Sequence, residues 1–251
     1  MKAFLIGLQF LTRIQLLKQT EWDEREFGKS VSYFPLIGAV IGAVLLAIYT
    51  VMAPLKVPLL TAFLLVAGEF VVTGAMHADG LMDTCDGLFS GRSRERTLEI
   101  MKDSRIGSFG LLAFVFLVLM KTFSLAAIED SAMMAMILLA MPMMGRLNMV
   151  ISICEYPYAR PFGIGKMFNA YRSRHAVGIA FVTTLIPALY FGMTWLLLMG
   201  VSLLTGLLLN RWVMGKIGGG TGDTYGCVDE VTELTAAFVL VLLVKGNLWF
   251  M

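Results

Sequence analysis

The chain has 251 residues, of which 58% are hydrophobic and only 15% are charged. A soluble domain carries roughly a quarter of its residues as charged side chains, so this composition excludes an ordinary soluble globular protein. The formal net charge of +2 is uninformative by itself, and no nucleic-acid partner is expected. Because the charged side chains are too few to cover it, much of the protein surface must face something other than water.

Apolar runs of about 18 to 20 residues can cross the hydrocarbon core of a bilayer. Such runs predict an all-α, polytopic integral membrane protein with about seven transmembrane helices, built as one domain over residues 1–251. Residues 1–17 are apolar but interrupted by polar side chains, which favours a helix lying in the membrane interface. The division of 177–210 near Gly192 is the least constrained, since this segment is long for one span and short for two. The predicted spans are 35–53, 57–76, 109–128, 133–153, 177–191, 196–210 and 234–250.

Basic residues are distributed unevenly between the connections. Alternate threading of the spans places 16 of the 20 Lys and Arg residues on the amino-terminal side, and the opposite connections carry only Lys56. Because basic residues accumulate on the cytoplasmic side, the amino terminus is predicted inside and the carboxy terminus outside. The long polar segments lie on that same side, which predicts an active site facing the cytoplasm at the cell membrane. Three cysteines in or beside these segments are expected to stay reduced: Cys85, Cys154 and Cys227.

The sharpest chemical feature is the segment 77–87, His-Ala-Asp-Gly-Leu-Met-Asp-Thr-Cys-Asp-Gly, at the inner end of the second predicted span. Asp79, Asp83 and Asp86 stand at i, i+4 and i+7, which puts them on one stripe if the helix continues unbroken. Three neighbouring carboxylates repel each other and are costly to desolvate, so the pattern predicts a bound Mg²⁺ or Mn²⁺ ion. The same aspartates are candidate catalytic residues. His77 could be a base, a group that supports the site or an interfacial side chain.

Further carboxylates accompany this motif. Glu69 lies inside the second predicted span, where it either supports the metal site or stays neutral and hydrogen-bonded. Asp223, Glu230 and Glu233 follow a glycine-rich segment with helical spacing. Asp223 and Glu230 are therefore added to the predicted metal ligands, and Asp223 is also a catalytic candidate. Glycine-rich backbone can approach a phosphate closely, so four residues of this segment are predicted to bind substrate: Gly219, Gly220, Thr221 and Gly222.

A third group of residues precedes the third predicted span. Lys102 and Arg105 suit phosphate, while Asp103 could add a ligand or pair with one of them. The alternative is a juxtamembrane basic anchor. Acids for a cation, glycines for phosphate and basic residues for negative charge together indicate phosphoryl or nucleotidyl transfer, which proceeds by positioning and charge neutralisation.

The sequence as a whole resembles the cobalamin synthase family, the adenosylcobinamide-GDP ribazoletransferases. Two departures from the family pattern leave every carboxylate in place: Gln15 replaces a usual proline, and Ala75-Met76 replaces a typical Gly-Leu. The matching stretches occur in the family's order at 10–14, 32–38, 77–88, 100–107 and 219–233.

The resemblance implies an enzyme that joins adenosylcobinamide-GDP to α-ribazole or its 5′-phosphate. The products are adenosylcobalamin or its 5′-phosphate, together with GMP, and the reaction depends on Mg²⁺. The resemblance also implies that Arg13, in the first matching stretch, binds substrate. Corrinoid and nucleoside substrates and membrane lipid are the implied partners, and a homo-oligomer is left open.

Two other classes of protein share parts of this pattern. The 77–87 motif more remotely resembles that of CDP-alcohol phosphotransferases acting on lipid. That family expects an arginine shortly after the first Asp-Gly, where this chain has Leu81-Met82-Asp83-Thr84. A transporter could use Glu69 and the aspartates for ions, but it would need polar access from both faces, and the outer connections here are minimal.

Overall fold

The computed structural model describes residues 2–16 and 23–246. These residues form helices joined by short connections and contain no β-strand, only an isolated bridge between Tyr158 and Gly220. The all-α prediction is confirmed. The twelve α-helices of the described residues are α1 (Lys2–Leu11), α2 (Glu24–Ser30), α3 (Phe34–Met52), α4 (Pro58–Thr73), α5 (Met76–Leu88), α6 (Arg94–Ile100), α7 (Ser108–Ala126), α8 (Ser131–Glu155), α9 (Ile164–Tyr171), α10 (Ala176–Leu185), α11 (Ala188–Ile217) and α12 (Gly222–Lys245).

The membrane character of the fold is confirmed, whereas the expected seven spans are not confirmed. Within the described residues, four helical segments are long and apolar enough to cross a bilayer: Glu24–Leu55, α7, α8 and α11. The pair α4 and α5 makes a fifth if it counts as one broken span. The predicted span 177–191 covers the ten-residue helix α10 and the first turn of α11, which is kinked at Gly192. Residues 247–250 of the last predicted span, like residues 1 and 17–22, lie outside the described residues.

The second predicted span breaks at Gly74 and Ala75. Both residues have a positive φ, 67° and 57°, which ends α4 and turns the chain into α5 at 92°. Gly74 adopts this left-handed conformation without steric cost, whereas a non-glycine residue there is uncommon. The aspartate motif is helical through Gly80, as predicted, but its helix is not a straight continuation of the span.

Helix α8 forms the centre of the bundle, and α3 and α12 make its most extensive contacts. It is rich in methionine, a flexible side chain that fills irregular gaps in a core. Gly42 of α3 packs directly on α8: a Cβ at this position would lie 2.6 Å from the main-chain oxygen of Leu138. Small residues at such crossings let two membrane helices approach closely.

The outer surface of the bundle is apolar. Exposed large side chains such as Phe116 and Phe123 on α7, and Leu204 and Leu208 on α11, have no core to pack against. Contiguous exposed apolar surface marks contact with a non-aqueous phase or a partner. Because α7 and α11 are long enough to cross a bilayer, their exposed apolar surface suits contact with membrane lipid.

Candidate active site

The two acidic motifs meet where α5 packs against the start of α12. Two glycines permit this contact. A Cβ added to Gly80 would lie 2.7 Å from the main-chain oxygen of Asp223, and one added to Gly226 would lie 2.9 Å from Cα of His77. Larger side chains at these positions would force the two helices apart. Motifs that are distant in sequence therefore line one region.

Asp83 lies among the aspartates of this region. Its side chain is partly buried, and the charges of Asp223, Asp79 and Asp86 all act on it. The opposing charge is Arg160, whose guanidinium donates to Oδ2 of Asp223 at 2.7 Å. Such an accumulation of negative charge in a partly buried place is unfavourable unless a cation compensates it.

Asp86 has a second task in the fold. Its two carboxylate oxygens accept hydrogen bonds from the main-chain N–H groups of Gly107 and Gly110, each with a donor–acceptor distance of 2.8 Å. These donors belong to the first turn of α7, where unpaired N–H groups and the helix dipole favour a negative charge. Asp86 therefore ties α5 to α7, and its metal role stays a prediction.

The glycine-rich segment before α12 is paired with the chain in front of α9. The N–H of Gly220 donates to the carbonyl of Pro157 at 2.8 Å, and its own carbonyl accepts from Ala159 at 2.8 Å. Thr221 caps α12 through reciprocal hydrogen bonds with Thr224. A Cβ at Gly222 would meet nothing within 4 Å among the described residues, so this glycine is the most open to a ligand. The substrate assignments of Gly219, Gly220, Thr221 and Gly222 stay predictions.

Asp103 and Arg105 pair with each other. The guanidinium of Arg105 donates to Asp103 at distances of 2.5 to 3.1 Å, and these hydrogen bonds lower the pKa of Asp103 to about 2. Both residues line an open cleft of about 500 Å³ that also contains Asp86. The exposed side chain of Lys102 lies beside them in sequence but not on the cleft.

Arg13 follows α1 and lies against the carboxyl-terminal end of α4. Its main-chain N–H donates to the carbonyl of Val72 at 2.7 Å, and its guanidinium packs over Gly74 at the break between α4 and α5. Arg13 and Asp79 line one groove of about 490 Å³. A carboxylate and an arginine on one groove suit a phosphate bound through a cation and an ion pair.

A buried ionic network connects α4, α7 and α12. The ammonium group of Lys121 on α7 contacts Glu69 at 3.1 Å, Glu230 at 2.7 Å and Glu233 at 2.6 Å, and Lys121 is fully buried. Two predicted metal ligands, Glu69 and Glu230, thus have a protein cation as their partner. Their metal assignment stays a prediction.

His77 belongs to the same network through Arg146 of α8. Nη2 of Arg146 lies 3.0 Å from Nδ1 of His77, and its Nη1 contacts both Glu233 and, at 3.1 Å, Asp229. Oδ2 of Asp229 also lies 3.1 Å from Nδ1 of His77. The structure therefore places His77 at the junction between the network and α5, and it is only 2% exposed.

Sequence reasoning missed Lys121, Arg146 and Arg160. A signal for the first two was present, because a charged residue inside an apolar span requires a partner, and Glu69 lacked one in sequence. Arg160 lies in the connection before α9, and nothing in its sequence context indicates that it contacts Asp223.

The residues present fit a divalent cation, although the ligands are not already gathered. Within residues 2–16 and 23–246, no three carboxylate, histidine or cysteine side chains form a ready metal-ligand set. Mg²⁺ commonly binds through one or two protein carboxylates, with water and substrate phosphate completing its shell. The mutually repelling carboxylates around Asp83 provide such hard oxygen donors.

A helical membrane fold brings aspartates and arginines together beside open clefts, an arrangement that suits phosphate-bearing substrates. Residues 3–241 match the family model of cobalamin-5-phosphate synthase (CobS), and the chain belongs to this family. The predicted family is thereby confirmed.

Curated relatives agree with the family match. One from Thermoanaerobacter pseudethanolicus is 35% identical over 96% of this chain and 97% of its own length. Others from Desulfitobacterium hafniense and Alkaliphilus metalliredigens are each 38% identical, over 93% and 98% of this chain and 94% and 97% of their own lengths. All three are named adenosylcobinamide-GDP ribazoletransferase. No solved structure shows a significant match.

Proposed function

We propose that this protein joins adenosylcobinamide-GDP to α-ribazole or α-ribazole 5′-phosphate, producing adenosylcobalamin or its 5′-phosphate and GMP. The observation that carries the proposal is the nearly full-length similarity to proteins named for this activity. The structure supports it by bringing Asp79, Asp83 and Asp223 together beside Arg13 and Arg160. Carboxylates and arginines in one place suit a diphosphate substrate that meets a hydroxyl nucleophile.

The arginines bind and orient the diphosphate. Arg13 faces the groove beside Asp79, and Arg160 reaches the same region from the connection before α9. A guanidinium presents two parallel donors to phosphate oxygens, which fixes orientation as well as charge. The pairing of Arg160 with Asp223 holds it beside the site until substrate oxygens compete for it.

Asp79, Asp83 and Asp223 would hold Mg²⁺, or Mn²⁺ in its place. When bound, the ion neutralises the diphosphate and the leaving phosphate. The exposed carboxylate of Asp79 borders the Arg13 groove, so substrate and protein oxygens are close to each other there.

The group transfer itself needs one proton acceptor. A ribazole hydroxyl oxygen forms a bond to the cobinamide-linked phosphorus, the bond from that phosphorus to the GMP oxygen breaks, and GMP leaves. The hydroxyl proton passes to a carboxylate within reach, for which Asp79 and Asp223 are the candidates, since both line the cavity between α5 and α12. His77 supports this region from the buried network.

The charge asymmetry of the sequence supports a place for this site at the cytoplasmic face of the cell membrane. The phosphate-bearing substrates would then arrive from the cytoplasm, and the apolar helix surfaces would contact membrane lipid. A homo-oligomer remains compatible with this arrangement.

GMP release tests the proposal. Purified protein in detergent should release GMP when adenosylcobinamide-GDP, α-ribazole and MgCl₂ are all present. The release of GMP should stop when EDTA removes the metal ion. Asp83→Asn should lower this release, and Glu129→Gln, the same kind of charge change in an exposed connection, is its matched control. Release of CMP from a CDP-linked lipid, without GMP release, would contradict the proposal and favour the lipid phosphotransferase.

A further inference from the structure

A cavity of about 200 Å³ lies between α5, α8, α9 and α12. Its walls are mainly apolar, with Met149 and Ile153 contributed by α8 and Phe168 by α9. Phe10 of α1 completes an aromatic corner, since its ring centroid lies 5.4 Å from that of Phe168 in an edge-to-face arrangement. Aromatic and aliphatic walls of this kind suit a flat apolar ring.

Two buried polar groups on this cavity lack a partner. Nε2 of His77 and the hydroxyl of Tyr225 each have no hydrogen-bond partner among the described residues, and the two side chains are only 2% and 3% exposed. Both residues line the cavity. Leaving a buried donor unpaired is costly, so such groups are expected to find their partner in a ligand.

The surrounding contacts indicate that Nε2 of His77 carries the proton. Arginine can only donate, so Nδ1, which meets Nη2 of Arg146 at 3.0 Å, must accept. Oδ2 of Asp229 also lies 3.1 Å from Nδ1, but it has no hydrogen-bond geometry to any described residue. A neutral imidazole that accepts at Nδ1 donates at Nε2. The cavity therefore offers a donor that needs an acceptor.

The size of the cavity limits the ligand to part of a molecule. Sites for drug-sized ligands measure about 300–1,000 Å³, so a cavity of about 200 Å³ takes a bicyclic ring but not a whole nucleotide or a corrin. Asp79 and Asp223 lie on the same cavity. A nucleoside whose base enters here would keep its ribose hydroxyl beside these carboxylates.

We propose that this cavity binds the base of the nucleoside substrate, a methylated benzimidazole, with its free ring nitrogen accepting a hydrogen bond from Nε2 of His77. The identity of the nucleoside rests on the proposed function. Guanine, the base of the other substrate, carries several donors and acceptors that these apolar walls would leave unpaired. A benzimidazole has one in-plane acceptor, which can pair with Nε2 of His77, and otherwise apolar edges, which match the aromatic and aliphatic walls of the cavity.

A matched pair of variants on α8 tests the occupant. Ile153→Phe fills the cavity, whereas Ile151→Phe makes the same change two residues away, off the cavity. Overpacking the cavity should raise both the Kd for α-ribazole, measured by calorimetry, and its KM by about tenfold or more. The KM for adenosylcobinamide-GDP should not change, and Ile151→Phe should resemble the wild type in both constants.

The hydrogen bond is tested first from the ligand side, with the wild-type protein. An analogue of α-ribazole in which C–H replaces the free ring nitrogen should bind wild-type protein about tenfold more weakly, as expected for one hydrogen bond. The same analogue and α-ribazole should bind His77→Leu equally.

Each result separates this inference from the proposed function. If Ile153→Phe raises only the KM for adenosylcobinamide-GDP, guanine occupies the cavity, and the inference is overturned while the activity stands. An unchanged Kd for α-ribazole in Ile153→Phe, or equal binding of the analogue to wild type, also overturns it. Conversely, α-ribazole binding that is lost only in Ile153→Phe, in a protein that releases no GMP, would support the cavity assignment and refute the proposed function.

Discussion

Replacing Lys121 with methionine tests whether the buried ionic network stabilises the bundle. The substitution keeps much of the apolar length of the side chain but removes an ammonium group that contacts Glu69, Glu230 and Glu233 at 2.6 to 3.1 Å. Among the described residues, the network holds four carboxylates against two cations, so losing one cation leaves a large excess of buried negative charge.

The expected loss in the free energy of unfolding follows from the burial of Lys121 and its carboxylate partners. Removing one partner of a buried ion pair costs about 3–5 kcal/mol, because the remaining charge stays desolvated without compensation. That corresponds to a factor between about one hundred and several thousand in the unfolding equilibrium. The carboxylates that lose their cation can take up protons, which limits the loss. We therefore expect the free energy of unfolding to fall by an amount within this range, although three contacts are lost.

Lys245→Met is the matched control. Lys245 makes a single ion pair with Glu129 at 2.7 Å, and its side chain is 52% exposed, so its removal should cost about 0–1 kcal/mol. The assay is reversible unfolding in mixed micelles of increasing denaturing detergent, followed by helical circular dichroism. Adding Glu69→Gln and Glu230→Gln to the Lys121→Met variant should restore part of the loss, because they remove excess charge. Equal stability of the two methionine variants would refute the reasoning.

The remaining predictions concern the site and its orientation. Asp83→Asn should lower GMP release at least about a hundredfold while the protein stays folded, and near wild-type turnover at saturating Mg²⁺ would contradict the metal assignment. Combining it with Asp223→Asn should be little worse than the poorer single variant, since groups acting as a unit are not additive; additive losses in kcat/KM would mean separate sites. Arg160→Met should raise the KM for adenosylcobinamide-GDP by about tenfold or more, and an unchanged KM would exclude a phosphate contact. A cysteine at Lys102 should be labelled only from the cytoplasm and one at Glu129 only from outside, so labelling from the same side would refute the threading.

Local patterns in the sequence determined the class of fold and the helix that carries the aspartates. A low charged fraction and long apolar runs are sufficient to indicate membrane helices, because they reflect the solvent around each segment. The i, i+4, i+7 spacing of Asp79, Asp83 and Asp86 predicted α5, and the structure confirms a helix over Met76–Leu88. The ordered motifs along the whole chain were also sufficient to predict the family, which the match over residues 3–241 confirms.

The course of the second predicted span depended on backbone details that hydropathy does not register. Apolar length alone continued the second span through Gly74 and Ala75, but two successive positive φ values turn the chain there. Helix α12 carries several carboxylates, so its composition does not mark it as an apolar span although it lies in the bundle.

Only the tertiary structure decided which charges meet. Glu69 and Glu230 have the sequence pattern of metal ligands, yet each lies against Lys121, which is 52 and 109 residues away in the chain. Arg160 reaches Asp223 across 63 residues for the same reason. Helical periodicity specifies the face on which a side chain stands, but the partner of a buried charge depends on which helices pack together. Burying a charge is costly without an opposite charge beside it, and the tertiary structure determines which residue supplies that charge.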